Sequence, residues 1–484
     1  MRTSARLRHW AFGTTLLAAA LAVTTITPTS AYAVSWDNVT PYVDSGKSLT
    51  GLQQLVWQPA DAAGLAAVDT AAAAGALTGT PGLTQVYNDT NHQMYYKTHS
   101  NCSSARSAIA AADAAYTLAA WCFAGADETS DAWIPQSVTS SQDAAQQAGY
   151  VPGSDQVVGL WRQAAAADNR VQCPGVADDP EASVGLRASF IQRPYTDGTH
   201  SDYRHVLLVT PTAPNPDGLT FKPICNVHGG GVTWYGPYMF VAVTSGKIMV
   251  FDTRRTYRIP AETTCGPNHA ASSVNDVGQI ANPSGGTQLC AGGYRYVMFR
   301  VGTFTTTGDR CSRTPTSFYS NLCISGLSLQ WSDNSLVVSE YRSADDMTAA
   351  SYDVRIVNWP TDTLINRIDT GSTTPVSATR LAGTNFQGVQ GVVQRPNSTS
   401  GRPEFFVART LPGTDGSELW YEHDGDGVCA SRGVYVDNAE AMSYWVSSAG
   451  DGHLWTFTEY KNRRMLVRVY TKEYNDPPSG CPTQ

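Results

Sequence analysis

A histidine, a glutamate and several amides stand where stretches of alternating apolar sequence begin in this chain. We take His228 and Glu440 as candidate catalytic residues, because an imidazole and a carboxyl group can exchange protons near neutral pH. The candidate substrate-binding amides are Gln136, Gln387, Gln390 and Asn438. The alternative is structural: a histidine bonded to a carbonyl, a Glu440 salt bridge, and amides that satisfy one another.

Tyr203-Arg204-His205 forms a second group, ahead of the apolar run VLLV. Arg204 could bind a uronate carboxylate with two hydrogen bonds, and tyrosine and histidine can abstract a proton beside such a group. Strand alternation places Tyr203 and His205 on one face and Arg204 on the other, which argues against the three acting together. Packing at the surface or between sheets is the alternative.

Aromatic residues and missing motifs narrow the chemistry. Trp234 and Tyr235 are candidate sugar platforms, with core packing as the alternative. The chain lacks a G-x-S-x-G elbow, an H-E-x-x-H pair, a P-loop and a dinucleotide fingerprint. Asp424-Gly425-Asp426-Gly427 resembles part of a calcium loop, but its twelfth position is Tyr435 where a glutamate is needed. We therefore expect no cofactor, with a structural calcium ion as the one alternative.

The elements that position these residues follow a repeated pattern of a small-residue start, a short strand, a tight turn and a second strand. The four copies are His228–Asp252, Ile324–Tyr341, Phe386–Arg409 and Ala439–Tyr470. Sheet units that cannot bury both faces alone stack radially, so the pattern predicts an all-β fold, a β-propeller. Its inner strands line an axis, where we expect the polar candidates to converge in a pocket.

The predicted number of blades is five. Four strand patterns between Trp133 and Pro211 add one unit to the four copies. The inner strands then begin near Gln136, Gly230, Ser325, Gln390 and Ala439. Six or seven blades remain alternatives, because GGYRYVMFRVGTFTT, between residues 255 and 320, fits either an outer edge or a blade of its own.

The front of the chain has a different composition. Residues 1–33 have the pattern of a secretory signal peptide: Arg2, Arg6 and Arg8 precede an apolar run, and Ala31-Tyr32-Ala33 ends it. Residues 34–125 form an Ala-rich extension that we expect to be partly helical, and residues 126–484 form the propeller. Tyr116 to Phe123 fits either a helix end or a strand that closes the ring.

Charge and cysteines limit the compartment and the partners. Without the three arginines of the signal, 30 of the 33 basic side chains remain against 41 acidic ones, which disfavours nucleic acid and anionic membranes. All ten cysteines follow the signal without a C-x-x-C pair, which indicates disulfides in an exported protein. The expected bridges are Cys102–Cys122, Cys311–Cys323 and Cys429–Cys481. We expect a secreted monomer without a membrane anchor.

The block from Tyr203 to Asp252, with YRHVLLV, HGGGVTWYG, YMFVA and IMVFD, resembles a group of uncharacterised secreted proteins of Gram-positive bacteria, especially actinomycetes. WIPQSVTSSQDA from Trp133 and GVQGVV from Gly388 extend the resemblance over most of residues 116–470. It implies export and a propeller. It implies no reaction, and no catalytic residue is carried over.

These observations favour a protein that acts on or binds an extracellular polysaccharide, most simply a polysaccharide lyase or a glycoside hydrolase. A hydrolase needs two carboxyl groups roughly 5 to 10 Å apart, whereas a lyase needs histidine or tyrosine beside arginine. Because Glu440 is the one clear acid among the candidates, a lyase is slightly favoured. The alternatives are a lectin-like glycan-binding module and a protein-interaction scaffold.

Overall fold

Antiparallel β-strands dominate the structure, because the chain repeatedly alternates apolar and small residues between tight turns. The computed structural model describes residues 39–41, 49, 52–163, 185–192, 200–215, 218–225, 227–243, 246–260, 277–281, 287–308, 311–312, 319, 322–343, 345–346, 354–384, 386–396, 403–411, 414, 416–422, 428–430, 435–447 and 452–471. Residues Asp37–Gln484 cluster as one body.

The strands are β1 (Val39–Pro41), β2 (Leu55–Pro59), β3 (His92–Tyr96), β4 (Leu118–Phe123), β5 (Trp133–Ser140), β6 (Gln156–Gln163), β7 (Leu186–Gln192), β8 (His200–Asn215), β9 (Gly218–Pro223), β10 (Gly229–Tyr235), β11 (Tyr238–Val243), β12 (Lys247–Arg258), β13 (Val277–Ala281), β14 (Thr287–Ala291), β15 (Tyr296–Thr306), β16 (Gly326–Gln330), β17 (Ser335–Ser339), β18 (Val354–Pro360), β19 (Arg380–Thr384), β20 (Val389–Pro396), β21 (Pro403–Thr410), β22 (Ser417–Glu422), β23 (Val428–Ala430), β24 (Ser443–Val446), β25 (Gly452–Phe457) and β26 (Met465–Tyr470). The helices are α1 (Ala62–Ala73), α2 (Thr84–Tyr87), α3 (Ala110–Ala115), α4 (Ala126–Thr129), α5 (Ser141–Ala144) and α6 (Thr361–Thr370). Short 3₁₀ turns span Ser100–Cys102 and Ala105–Ile109.

The strands pair in antiparallel units of the kind that forms a β-propeller, which confirms the predicted fold. The units are β5-β6-β7-β8, β10-β11-β12-β15, β16-β17-β18-β19, β20-β21-β22-β23 and β24-β25-β26-β4. We call them blades I to V in that order. Five such blades occur among the described strands, and a total of five for the whole chain stays a prediction.

Glycines let the first strands of the blades approach closely. A Cβ atom on Gly231 of β10 would lie 2.3 Å from the backbone nitrogen of Leu327 in β16, and one on Gly391 of β20 would lie 2.7 Å from Cα of Ala441. Ala441, just before β24, forms a parallel bridge to Ser137 of β5. β16 also packs on β20, and β5 on β10. The first strands therefore form a closed ring, and a side chain at these glycines would force its backbones apart.

The N-terminal part of the chain contributes strands to the sheets. β4 pairs with β26 and completes blade V, so the alternative of a ring-closing strand is the one that the structure shows. β3 pairs with both β4 and β8 and joins blade V to blade I, while β2 pairs with β15 and β1 with β19. α1 lies within the Ala-rich segment that favours helix. The break at residue 125 is thus a change of composition and not a break in the sheet.

The segment GGYRYVMFRVGTFTT contributes an outer edge. β15, which contains most of it, pairs with β12 as the fourth strand of blade II. It also runs parallel to part of β8, which links blade II to blade I. Of the two alternatives for this segment, the outer edge is the one observed.

Two of the three expected disulfides are confirmed. Cys102 is bonded to Cys122 with Cα atoms 5.5 Å apart, and Cys311 to Cys323 with Cα atoms 4.6 Å apart. Cys225 and Cys290 are also disulfide-bonded. The Cys429–Cys481 bridge, the signal segment 1–33 and the Asp424–Gly427 loop lie outside the side chains that the structure describes. In the described ranges, no helix is both long enough and apolar enough to cross a membrane.

A buried carboxylate joins blade I to blade V. Asp143 of α5 accepts hydrogen bonds from Thr139 Oγ1 at 2.8 Å, from Ser443 Oγ at 2.7 Å and from Trp331 Nε1 at 2.8 Å. Its carboxylate and Ser140 also form a capping box at the start of α5. Because these donors come from three blades, Asp143 fixes the relative position of the strands that flank the site described next.

Candidate functional site

A cavity of about 540 Å³ opens between blades I and V. Its walls come from the start of β3, from α4, from the outer strands β7 and β8, and from the loop before β15. The lining residues used below are His92, Asp127, Trp133, Arg187, Arg204, His205, Tyr294 and Arg295. The cavity therefore lies at the junction of two blades. It also borders β8, the strand that contains Tyr203 and His205, which the sequence analysis singled out.

Asp127 is the centre of this site. Its Oδ1 accepts a hydrogen bond from Arg187 Nη2 at 2.6 Å, and its Oδ2 accepts one from Tyr203 Oη at 2.5 Å. His205 Nε2 lies 3.0 Å from the same Oδ2. Gly125, at a φ of 56°, turns the chain from β4 into α4 and so aims Asp127 at these groups. One buried carboxylate thus gathers side chains from two strands.

The register of three neighbouring strands explains why these groups meet. His92 of β3 is directly opposite Tyr203 of β8, and their rings stack with centroids 5.0 Å apart. Ser189 of β7 is opposite His205, and its Oγ lies 2.8 Å from His205 Nδ1. Residues at alternate positions share a face. Tyr203 and His205 therefore point together to Asp127, as their spacing predicts.

The charges in the cluster follow from burial and from Arg187. Burial opposes ionisation of Asp127, but His205, Arg187 and the hydrogen bonds hold its pKa well below 3.8. Burial and Arg187 lower the pKa of His205 to about 3, so Arg187 is the cation that remains beside Asp127 at neutral pH. An ionised Asp127 then accepts the Nε2 proton of His205, and Nδ1 accepts from Ser189. Burial raises the pKa of Tyr203 well above 10, which keeps it a donor.

His92 is the member of the cluster that faces solvent. About 35% of its side chain is exposed, and its Nδ1 lies 3.3 Å from Asp127 Oδ2. Among the described residues, its Nε2 has no hydrogen-bond partner. Burial lowers the pKa of His92 below 6.5, although Asp127 partly offsets this effect. The imidazole is therefore neutral at pH 7, with Nδ1–H toward Asp127 and the Nε2 lone pair toward the cavity.

The same residues test the idea of a metal centre. The ligand atoms of His92, Asp127 and His205 all lie within 4.8 Å of one another. However, Asp127 Oδ1 already binds Arg187, and His205 Nδ1 already contacts Ser189. A cation would sit beside the Arg187 guanidinium and would displace the hydrogen bonds to Oδ2. The arrangement fits proton transfer better than metal binding.

Aromatic and basic side chains form the walls of the cavity. The Arg187 guanidinium lies 4.6 Å from the Trp133 ring centroid and donates to Tyr294 Oη at 3.3 Å. Arg204, on the opposite face of β8 from His205, lies 3.8 Å from Asp89, and Arg295 Nε lies 3.0 Å from the same carboxylate. Two arginines that line the cavity thus bind the same aspartate.

Three of the sequence-predicted residues do come together elsewhere. Gln136 Oε1 accepts a hydrogen bond from Arg162 Nε at 3.1 Å, and Gln136 Nε2 lies 3.4 Å from Glu459. Buried Glu440 is hydrogen-bonded to Glu459, and burial together with the Glu459 charge raises its pKa well above 4.5. His228 is exposed, and partial enclosure together with Arg162 lowers its pKa to about 4. We call Gln136, Arg162, Glu440, Glu459 and His228 the axial cluster.

The other predicted amides are Gln387, Gln390 and Asn438. Gln390 Nε2 donates to Thr410 Oγ1 at 3.0 Å, and Gln387 is half-buried. Asn438 has a φ of 46°, and its carbonyl accepts from the backbone of Glu459 at 3.2 Å, which is a turn-forming role. A substrate-binding role of these three amides stays a prediction.

Trp234 and Tyr235 are core residues in the structure, which corrects the expectation that they present faces to a sugar. Both side chains are fully buried. Trp234 Nε1 donates to the Gly236 carbonyl at 2.8 Å, and Tyr235 Oη donates to Asp362 at 2.6 Å. Large aromatics at these positions fill the space between blades.

Sequence reasoning did not single out His92, Asp127 or Arg187. His92 lies in the segment interpreted as an extension, and Asp127 lies just after it. Arg187 lies inside a predicted strand. No motif spacing connects them, because they meet only through the pairing of β3 with β8 and of β7 with β8. The one available signal was the shared face of Tyr203 and His205.

Comparison with known proteins gives no family. No family model matches the chain, and no curated protein matches it. Among solved structures, the Trypanosoma rangeli sialidase is 11% identical over 75% of this chain and 50% of its own, with a TM-score of 0.30. The Kuenenia stuttgartiensis hydrazine synthase is 11% identical over 70% of this chain and 88% of its own, with a TM-score of 0.28. This chain spans about half the length of the sialidase. Likenesses this weak carry no argument about activity.

Proposed function

We propose that this protein is an exported, carbohydrate-active propeller that binds an acidic polysaccharide between blades I and V and cleaves it as a lyase. The observation that carries the proposal is His92, held between ionised Asp127 and an open cavity with its Nε2 unbonded among the described residues. The signal-like pattern of residues 1–33 and the two confirmed disulfides support export.

The elimination requires a base beside a uronate carboxylate. His92 Nε2 takes the proton from the ring carbon that bears the carboxylate, and the electrons of that C–H bond form the new C=C bond. The glycosidic C–O bond at the neighbouring carbon breaks, and the His92 imidazolium returns the proton to the departing oxygen. Asp127 stabilises the imidazolium, as a buried carboxylate does when it orients a catalytic histidine. Asp127 Oδ2 lies 3.3 Å from His92 Nδ1, which places the carboxylate beside the ring on which the positive charge forms.

Charge and shape favour an acidic sugar. Arg187 neutralises Asp127, and Lys461 Nζ binds the other lining aspartate, Asp131, at 2.6 Å. Arg204 and Arg295 also line the cavity, where they lie 3.8 Å and 3.0 Å from the carboxylate of Asp89. A uronate carboxylate would bind beside these arginines, and the partly exposed ring of Tyr294 offers apolar surface to a sugar.

The decisive test is a screen of the purified mature protein against uronate-containing polysaccharides, with the absorbance of unsaturated uronates as the readout. We expect His92→Gln to lower kcat/KM by roughly 10²- to 10⁴-fold, the range for loss of a general base. Because the pKa of His92 lies below 6.5 and the neutral form is active, wild-type kcat/KM should fall only on the acid side, below that value.

His228→Gln is the matched control, because His228 is also an exposed histidine with a lowered pKa. We expect it to change kcat/KM by less than about twofold. Activity that depends on His228 and not on His92 would place the active site in the axial cluster and overturn the proposal.

A second function, glycan binding without catalysis, is favoured by one observation. Tyr203 and His205 have all their side-chain hydrogen bonds inside the protein, as expected for a rigid scaffold beneath a binding surface. If no substrate is cleaved, binding of the same polysaccharides, weakened by Arg295→Ala and unaffected by His92→Gln, would establish this function.

A further inference from the structure

A second cavity adjoins the first at His92. This cavity, of about 500 Å³, is lined by Thr90, Asn91, His92, Gln93, Ala124, Gly125, Ala126 and Asp202. Asn91, His92 and Ala126 line both cavities. His92 therefore lies at the boundary of two adjoining spaces, each large enough for sugar rings.

The two cavities differ in chemistry. The first contains Arg187, Arg204 and Arg295, whereas the second contains no basic side chain besides the neutral His92 among its described lining residues. Gln93 and Asp202 are direct cross-strand partners on β3 and β8. An amide beside a carboxylate offers hydrogen bonds to sugar hydroxyls, and Asp202 repels a second uronate.

We propose that the two cavities together bind an extended polysaccharide in which uronate and neutral sugars alternate, with the uronate on the arginine side of His92 and a neutral sugar on the Asp202 side. This inference rests on the proposed lyase function and adds the arrangement of the substrate. A site open on both sides of the base accepts internal segments of a chain. The protein then cleaves within the polymer, and its first products are oligosaccharides of mixed length.

Asp202 provides the specificity test. It is about one-third exposed, and His200 Nε2 lies 3.6 Å from its Oδ1. Asp202→Asn keeps the size of the side chain and removes the charge. We expect this change to raise kcat/KM on a homopolymer of uronate by about two- to fivefold, the range for a partly exposed charge interaction, and to lower kcat/KM on the alternating polymer by a similar factor or less, because a carboxylate acceptor for a sugar hydroxyl is weakened.

The matched control is Asp345→Asn, an exposed aspartate after β17 in blade III. It removes the same charge far along the chain from β3 and β8, and both substrates should respond equally to it. A ratio of the two activities that shifts in Asp202→Asn and not in Asp345→Asn supports the inference. Equal ratios in both variants, or a wild-type preference for the homopolymer, would overturn it.

Product length separates the failure of this inference from that of the proposed function. We expect the viscosity of an alternating polymer to fall early, while few bonds are broken, and mid-length oligosaccharides to precede small products. Release of small units from chain ends, still dependent on His92, would overturn the extended groove and leave the lyase intact. If no uronate-containing polymer gave an unsaturated product, both this inference and the proposed lyase function would be wrong.

Discussion

The axial cluster and the cavity between blades I and V contain similar residue types and use them differently. In the axial cluster, Gln136, Arg162 and Glu459 bind one another, and Glu440 bonds to Glu459. In the cavity, the buried groups also bind one another, but they support His92, whose Nε2 points away from them. A polar cluster becomes a candidate site when its hydrogen bonds are arranged to leave one group available.

The largest expected effect comes from removing the centre of the cavity cluster. Asp127→Ala would leave the buried Arg187 guanidinium without its carboxylate, so we expect the free energy of unfolding to fall by about 3 to 5 kcal/mol and lyase activity to disappear. Denaturant unfolding and kcat/KM measure the two effects. Adding Arg187→Met should restore part of the stability, because it removes the unpaired charge, without restoring activity. Full stability in Asp127→Ala alone would contradict the described network.

The comparison also explains which parts the sequence could predict. Alternation in β5 to β8 and the glycines of β10 and β20 are local signals, and they indicate blades and a crowded axis directly. An alignment of the copies of one repeat brings equivalent positions together. It therefore selects residues such as Gln136 and Glu440 on the inner side of each blade. Such an alignment does not show which residues of two different blades contact each other.

The candidate site depends on a contact of that kind between blades. His92 and Asp127 reach Tyr203 and His205 only because β4 completes blade V and β3 pairs with β8. Strand alternation could place Tyr203 and His205 on one face. It could not show which carboxylate that face meets, because the partner lies more than 70 residues earlier in the chain.

A second prediction concerns the junction that positions both regions. Burial raises the pKa of Asp143 from 3.8 to about 6, so the folded state holds a proton that the unfolded state has lost between these values. The resulting stabilisation is present below pH 3.8 and is lost as the pH rises through 6, with a total of about 3 kcal/mol. Asp143→Asn should flatten that part of the pH dependence of unfolding.

The measurement is denaturant unfolding of wild type and Asp143→Asn across that acid range, with Asp345→Asn as the exposed control. The control should keep the wild-type pH dependence. Parallel curves for wild type and Asp143→Asn would mean that the titration of Asp143 does not contribute to the stability of the junction between blades I and V.

The smallest expected effect belongs to the axial cluster and sharpens the contrast with the cavity. Burial and the Glu459 charge raise the pKa of Glu440, so this carboxyl keeps its proton above the usual range of a glutamate and donates it to Glu459. Glu440→Gln replaces that O–H donor with an N–H donor of nearly the same size, so we expect the free energy of unfolding to change by less than about 1 kcal/mol. Lyase activity should be unchanged, since the pair lies outside the cavity lining. A loss of activity as large as that of His92→Gln, with stability retained, would instead make the Glu440–Glu459 pair part of the catalytic machinery.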